Sequence, residues 1–337
     1  MKGLTLFSLC FALVVILLGA FTRLTDAGLG CPDWPGCYGY LTVPNAEQAA
    51  DAQARFPERA IEPAKAWAEM VHRYVAACLG LLILAIAVLH WRQRGASAVP
   101  YLLLGLVVFQ AALGMWTVTL NLMPLVVMGH LLGGFSIAAL LLYWLLQQRG
   151  QSIQASERDI GSATHVTKSP RGITSGLKAM AATALVVLVT QIALGGWTSA
   201  NYASLACTQL PICEGDWLAK LNPTDAFSPL QAPASSYEYG VLDHPARLTI
   251  HVSHRIWALV TTAILLLLWW RLRQVGIQRE ANVMAVVLTL QIALGIGNVL
   301  GGLPLAVAVA HNGVALLLLL AVIASNVRLW QGEAQHG

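Results

Sequence analysis

The sequence predicts an all-α membrane protein: eight transmembrane helices arranged as two parallel-repeat four-helix bundles. Three observations carry this. Of 337 residues, 57% are hydrophobic and only 11% charged, the balance of a chain that lives in lipid. The apolar residues gather into runs at 4–23, 67–90, 100–120, 124–147, 179–198, 246–270, 282–300 and 304–327, each near the roughly 20 residues that cross a bilayer as a helix. The second half also echoes the first. Cys31 and Cys37 recur 176 residues on as Cys207 and Cys213, and Gln110 to Gly114 recurs 181 residues on as Gln291 to Gly295. Alternating strands of about ten residues are absent, which excludes a barrel.

The first run follows Lys2 with no small-x-small cleavage site after it, and Gly19-Ala20-Phe21-Thr22 has a partner in Gly195-Gly196-Trp197-Thr198. It is therefore expected to stay as a span, not to be cut off as a signal peptide. No arginine- and serine-rich presequence precedes it. An outer loop from about 24 to 66 follows, opening with the turn-rich stretch Gly28-Leu29-Gly30-Cys31-Pro32-Asp33-Trp34-Pro35-Gly36-Cys37. The second span opens with Glu69-Met70-Val71-His72-Arg73. The short connections before the fourth and eighth spans put Pro124 and Pro304 at the first helical turn, where a missing N–H costs nothing. Residues 1–150 form the N-terminal half. A polar linker is expected over 151–178, with His165 solvated in it, and 179–337 form the C-terminal half, whose tail carries His336. Within that half the loop from about 199 to 245 holds the second Cys-x5-Cys pair, and the sixth span carries His251-Val252-Ser253-His254-Arg255. Loops this long are more often functional than idle, and both are expected to lie as lids over the outer helix ends.

Four spans per repeat is an even number, so both copies run the same way, unlike the inverted repeats of many transporters. With the N-terminus inside, twelve of the 20 lysines and arginines fall on the inner side, in the sense of the positive-inside rule. That orientation implies cytoplasmic N- and C-termini in a bacterial inner membrane. It also puts both cysteine pairs outside, where the disulfides Cys31–Cys37 and Cys207–Cys213 persist. Cys10 and Cys78 lie within spans and act as small apolar residues. The net charge is a modest +4, with basic residues in short clusters between apolar runs. That is no nucleic-acid footprint; the surrounding partner is membrane lipid.

Histidines form the candidate chemistry. His72 and His130 are 58 residues apart, and His254 and His311 are 57 apart. All four sit near the outer ends of even-numbered spans, His130 about 9 Å into its helix. Two histidines at matching depth on facing helices supply both axial ligands to one haem iron. A lone histidine in a span is more often an interhelical hydrogen-bonding residue, but four at repeat-matched depths favour ligation. Zinc or copper wants three or four converging ligands, which two separated pairs suit poorly. His251 is a conceivable third ligand beside His254, while His90 and His244 lack repeat partners and read as structural. Glu69 is the asymmetric feature. A carboxylate in a span is costly and points to function, against a plain ion pair with Arg73 one turn on. Its counterpart is His251, yet Arg255 remains, so the arginine does not require the glutamate. Arg73 and Arg255 are alternatively partners for haem propionates.

Taken together, Glu69-x-x-His72-Arg73, Gly129-His130, His254-Arg255 and His311-Asn312-Gly313, with Thr22-Arg23-Leu24-Thr25 and Cys31-Pro32-Asp33-Trp34-Pro35, resemble the haem A synthase family over nearly the whole chain. The resemblance implies oxidation of a methyl group of haem O to the formyl group of haem A for terminal oxidases. It implies that His72 and His130 hold the substrate haem, that His254 and His311 hold a haem b cofactor, and that Glu69 is the catalytic carboxylate. Cys31 and Cys37 match a loop pair tied to function, whereas Cys207 and Cys213 occur in part of the family and read as mainly structural. The implied partners are haem O itself, the enzyme that produces it and terminal oxidase assembly factors. The other class that fits is a diheme membrane electron-transfer cytochrome b, which has no need of Glu69.

Overall fold

The computed structural model describes residues 1–160 and 173–331. Its helices are α1 (Lys2–Leu24), α2 (Ala49–Arg55), α3 (Pro63–Arg92), α4 (Val99–Thr119), α5 (Pro124–Ile160), α6 (Ser175–Ala200), α7 (Pro223–Ala226), α8 (His244–Gln274), α9 (Gln278–Leu300) and α10 (Leu305–Gln331), with a 3-10 turn at Leu218–Lys220 before α7. Among the described residues, α1, α3, α4, α5, α6, α8, α9 and α10 are the eight helices long and apolar enough to cross a membrane, and no strand occurs beyond an isolated bridge between Cys37 and Tyr40.

Helix ends follow from local chemistry. Asp243 caps α8 by accepting the Ala246 N–H at 2.9 Å, and Thr174 caps α6 by accepting the Leu177 N–H at 3.2 Å. Proline occupies the first turn of α3, α4 and α8. The tight turns α4–α5 and α9–α10 are closed in the same way. Leu122 donates to the Thr117 carbonyl and Leu303 to the Asn298 carbonyl, each at 2.8 Å, and both leucines adopt positive φ, 63° and 64°, to satisfy the last carbonyls of the preceding helix.

Several boundaries differ from the hydropathy reading. α3 starts at Pro63, before its apolar run, and α5 continues to Ile160, well into the stretch expected as linker. Helix formation needs only satisfied backbone bonds and tolerable propensity, so it outlasts the apolar segment that lipid requires. α6 likewise starts at Ser175, inside the expected linker. Pro304 precedes α10 and does not open it. His165 and His336 lie outside the described residues.

In the first half α1 packs on α3 and α5, and α4 packs on α3 and α5. In the second half α6 packs on α8 and α10, and α9 packs on α8 and α10. The two sets meet through α1–α10, α5–α6 and α5–α10. Glycine makes the seam close. A Cβ at Gly196 would stand 2.9 Å from Leu131 Cδ2, and one at Gly313 would stand 2.7 Å from Leu17 Cδ2. Small residues permit such approach between membrane helices, where packing rather than water exclusion drives association. At the end of the bundle that carries both disulfide loops, loops bind the halves together: Arg23 Nη2 donates to the Ser199 carbonyl at 2.5 Å, Tyr237 N–H to the Asn121 carbonyl at 2.9 Å, and Arg59 pairs with Glu238 at 2.9 Å.

Candidate functional site

Each of the four expected ligand histidines lies against a glycine on a neighbouring helix. A Cβ at Gly19 of α1 would stand 2.9 Å from Cε1 of His72 on α3, and one at Gly114 of α4 would stand 3.2 Å from Cε1 of His130 on α5. In the second half a Cβ at Gly195 of α6 would stand 3.1 Å from Cε1 of His254 on α8, and one at Gly295 of α9 would stand 3.2 Å from Cε1 of His311 on α10. Four imidazoles thus occupy room that any side chain would take. The glycines were visible in the sequence inside the repeated segments around Gly19, Gly114, Gly195 and Gly295, but nothing there tied them to the histidines; that link requires the helix neighbours.

The His72 and His130 ring centroids are 6.4 Å apart with planes at 82°. That separation is of the order that two imidazoles sharing one ion at about 2.1 Å per nitrogen would have. Nδ1 of His72, His130 and His311 is buried without a hydrogen-bond partner. Three of the four histidines are also touched by a glutamine one turn inward of the seating glycine. Gln110 Nε2 donates to the His130 carbonyl at 2.6 Å. Gln191 Nε2 lies 3.1 Å from His254 Nδ1 and donates to the His254 carbonyl at 3.2 Å. Gln291 Nε2 lies 3.3 Å from His311 Nε2. The amide oxygens of all three glutamines are buried and unpaired, available to the Nδ1–H of a ligated imidazole. At His72 the same position on α1 is Val15. Among the described residues no group of three or more His, Cys, Asp or Glu side chains converges on one point, as a zinc or copper centre would need. Bis-imidazole donors in a helical, apolar surround fit haem iron.

Glu69 is buried, 4% exposed. Its Oε1 accepts from Arg73 Nη2 at 2.5 Å, and its Oε2 accepts the Cys31 N–H at 2.9 Å. Arg73 Nη1 turns to the first loop, donating to the carbonyls of Asp33 at 3.0 Å, Pro35 at 3.3 Å and Gly36 at 2.5 Å. That loop is closed by a Cys31–Cys37 disulfide and folded on Asp33, which accepts the Tyr38 and Gly39 N–H groups at 2.6 and 2.8 Å. The Tyr38 ring is fully covered and its hydroxyl donates to the Ala60 carbonyl at 2.9 Å; burial raises its phenol above the ordinary value.

The second half repeats the latch with different chemistry. A Cys207–Cys213 disulfide closes its loop. His251 Nδ1 lies 2.9 Å from the Ala203 carbonyl, so it ties down the loop and is not grouped with His254 as a third ligand. Arg255 spends its guanidinium on the loop: Nη2 donates to the Cys207 carbonyl at 2.8 Å, and Nη1 to the Gln209 carbonyl at 2.8 Å. Glu214 bonds the Thr208 hydroxyl, which lowers its pKa. His90 is buried in the last turn of α3, its Nε2 3.0 Å from the Ser97 carbonyl and its ring packed on Trp144 and Tyr101. His244 stands exposed at the start of α8. Cys10 and Cys78 are free and exposed on the helical surface, where a span meets lipid.

The fold defines a multi-pass membrane protein, and its paired histidines have the donor chemistry that haem iron takes. The COX15-CtaA family, cytochrome oxidase assembly protein, matches residues 2–323, and the chain belongs to that family. It is 51% identical over 327 residues to a heme A synthase of Shewanella oneidensis, covering 96% of this chain and 94% of the relative. It is 29% identical over 343 residues to a heme A synthase of Rhizorhabdus wittichii, covering 96% and 90%. A heme A synthase of Bacillus licheniformis is 27% identical over 226 residues, 65% of each chain.

Proposed function

We propose that this protein is a haem A synthase, an oxidoreductase that converts a methyl group of haem O to the formyl group of haem A. The observation that carries this is the buried carboxylate of Glu69, one turn from His72, beside a two-histidine pocket whose counterpart has His251 instead. In this reading the chain is two parallel four-helix repeats. The N-terminal repeat, residues 1–150, holds haem O through His72 and His130. The C-terminal repeat, residues 179–337, holds haem b through His254 and His311. Haem b bound there supplies a one-electron carrier.

The remaining roles belong to the chain. Oxidising a methyl carbon through the alcohol to the aldehyde removes four electrons and adds one oxygen atom, both exchanged with a co-reactant outside this chain; it passes through electron-poor carbon and releases protons. A carboxylate fixed by Arg73 and the Cys31 N–H stabilises the first and accepts the second. Arg73 and Arg255 hold the disulfide loops over the pockets, and the loops keep water from them. Both termini face the cytoplasm and the disulfides face outward. Haem O arrives from the enzyme that makes it, and haem A leaves toward the factors that assemble terminal oxidases.

Extraction of the haems from purified protein tests this. Haem b together with haem O, its hydroxylated form or haem A is expected. Haem b alone, at two per chain, would make the protein a diheme electron-transfer cytochrome.

A further inference from the structure

The outer face carries eight of the chain's lysines and arginines, and they divide sharply between the halves. In the first half every one has a carboxylate partner: Arg23 with Asp26 at 3.6 Å, Arg55 with Asp51 at 2.9 Å, Arg59 with Glu238 at 2.9 Å, Lys65 with Glu62 at 3.0 Å and Arg73 with Glu69 at 2.5 Å. In the second half Lys220, Arg247 and Arg255 have no ion pair among the described residues. Lys220 is exposed, and the Arg255 guanidinium is engaged by loop carbonyls, with Glu214 in its electrostatic field but beyond ion-pair distance. Arg247 is half-buried like Arg255, and the Nε of each is buried without a partner, but the Arg247 side chain, unlike that of Arg255, makes no hydrogen bond among the described residues.

Arg247 precedes His254 by seven residues, two turns, so it lies within about 20° of the same helical face and about 10 Å nearer the outer end. The corresponding residue in the first half is Lys65, seven before His72. There Glu62 neutralises the cation; three residues before Arg247 stands His244 instead. The Asp243 carboxylate caps that end of α8 and already offsets part of its positive end, but no ion pair joins it to Arg247, whose guanidinium is left to a further anion. Haem bears two carboxylates on one edge, and arginine binds carboxylate through paired, charge-assisted hydrogen bonds.

We propose that Arg247 is the carboxylate anchor of the C-terminal pocket, binding a propionate of the haem held by His254 and His311; this rests on the ligand reading above. The resident haem is thereby gripped at both its iron and its edge. In the N-terminal pocket the equivalent cation is already satisfied by Glu62, so haem O and haem A are held there mainly through iron and can exchange.

The test uses the detergent-purified holoprotein and follows transfer of haem b to excess apomyoglobin. Arg247→Gln should speed that transfer roughly tenfold, the size of one charge-assisted hydrogen bond, and lower the midpoint potential of that haem. Arg247→Lys should fall between. His244→Glu leaves Arg247 in place and rebuilds the Glu62–Lys65 arrangement on an exposed position; it should also speed transfer. Wild-type transfer rates in Arg247→Gln and His244→Glu, with the low-spin spectrum intact, would overturn the anchor. His254→Ala is the separate control. If it left the haem b spectrum unchanged, the ligand assignment beneath the anchor would fall, and the anchor with it.

Discussion

Both carboxylate oxygens of Glu69 are bonded, to Arg73 and to the Cys31 N–H, so this residue joins helix, loop and pocket. A structural role and a chemical role make different predictions. Glu69→Gln keeps an oxygen for the Cys31 N–H and a donor-acceptor shape, but removes charge and basicity. It should fold, retain haem and accumulate haem O or its hydroxylated form, with haem A per folded protein reduced about 100-fold or more, measured by chromatography of extracted haems. Wild-type haem A content in the folded variant would leave Glu69 only its structural part. The glycine seats give a second prediction. A methyl at Gly195 meets His254 Cε1 at 3.1 Å. Gly195→Ala should therefore cost about 1–3 kcal/mol of overpacking and tilt the imidazole, read as a lower melting temperature and a perturbed low-spin signal from the C-terminal haem alone.

Each disulfide loop is an element clamped by its Cys–Cys bond and by an arginine of the following span. Hydrogen bonds from a charged donor are worth about 1.5–3 kcal/mol net, so Arg255→Met should release the 207–213 loop. Amide exchange there should rise markedly while the spans stay protected; unchanged exchange would mean that the disulfide alone sets the loop. The helices themselves were legible because lipid imposes a simple rule on sequence: about 20 apolar residues per span. Where that rule stops applying, reading stopped too. The start of α3 at Pro63, the extension of α5 to Ile160 and the short helices α2 and α7 in the loops obey backbone and capping chemistry, which hydropathy does not report. The histidine pairs were legible from matched spacing, and Glu69 from its cost in a span. The glutamine contacts and glycine seats were not, since Gln191 meets His254 across 63 residues of sequence. Arg255 was legible as a charge, but its engagement with loop carbonyls depends on how the second loop folds back.

At the scale of the molecule, the two sets of four helices meet through α1–α10, α5–α6 and α5–α10, and loops clasp across the seam. If each set holds its own haem, His254→Ala or His311→Ala should remove haem b and leave the N-terminal pocket able to bind haem O, as judged by haem-to-protein ratio. Loss of both haems from protein that still folds would show that the pockets depend on each other. The clasp is electrostatically modest: Arg59 and Glu238 form a partly exposed pair, for which about 0–1 kcal/mol of coupling is expected in a double-mutant cycle.

The seam has a consequence for symmetry. The contact of α1 with α10 corresponds in register to that of α6 with α5, so a half-length chain would find in a second copy of itself the faces it needs. Such a pair would be bound by its own rotation axis to carry the same residue at both equivalent positions: two glutamates or two histidines, two lysines or two arginines. Joining the copies into one polypeptide lifts that obligation. Glu69 can then stand where the other half has His251, and Glu62 with Lys65 where it has His244 with Arg247; on the roles proposed above, the covalent link is what would allow two similar pockets to divide their labour.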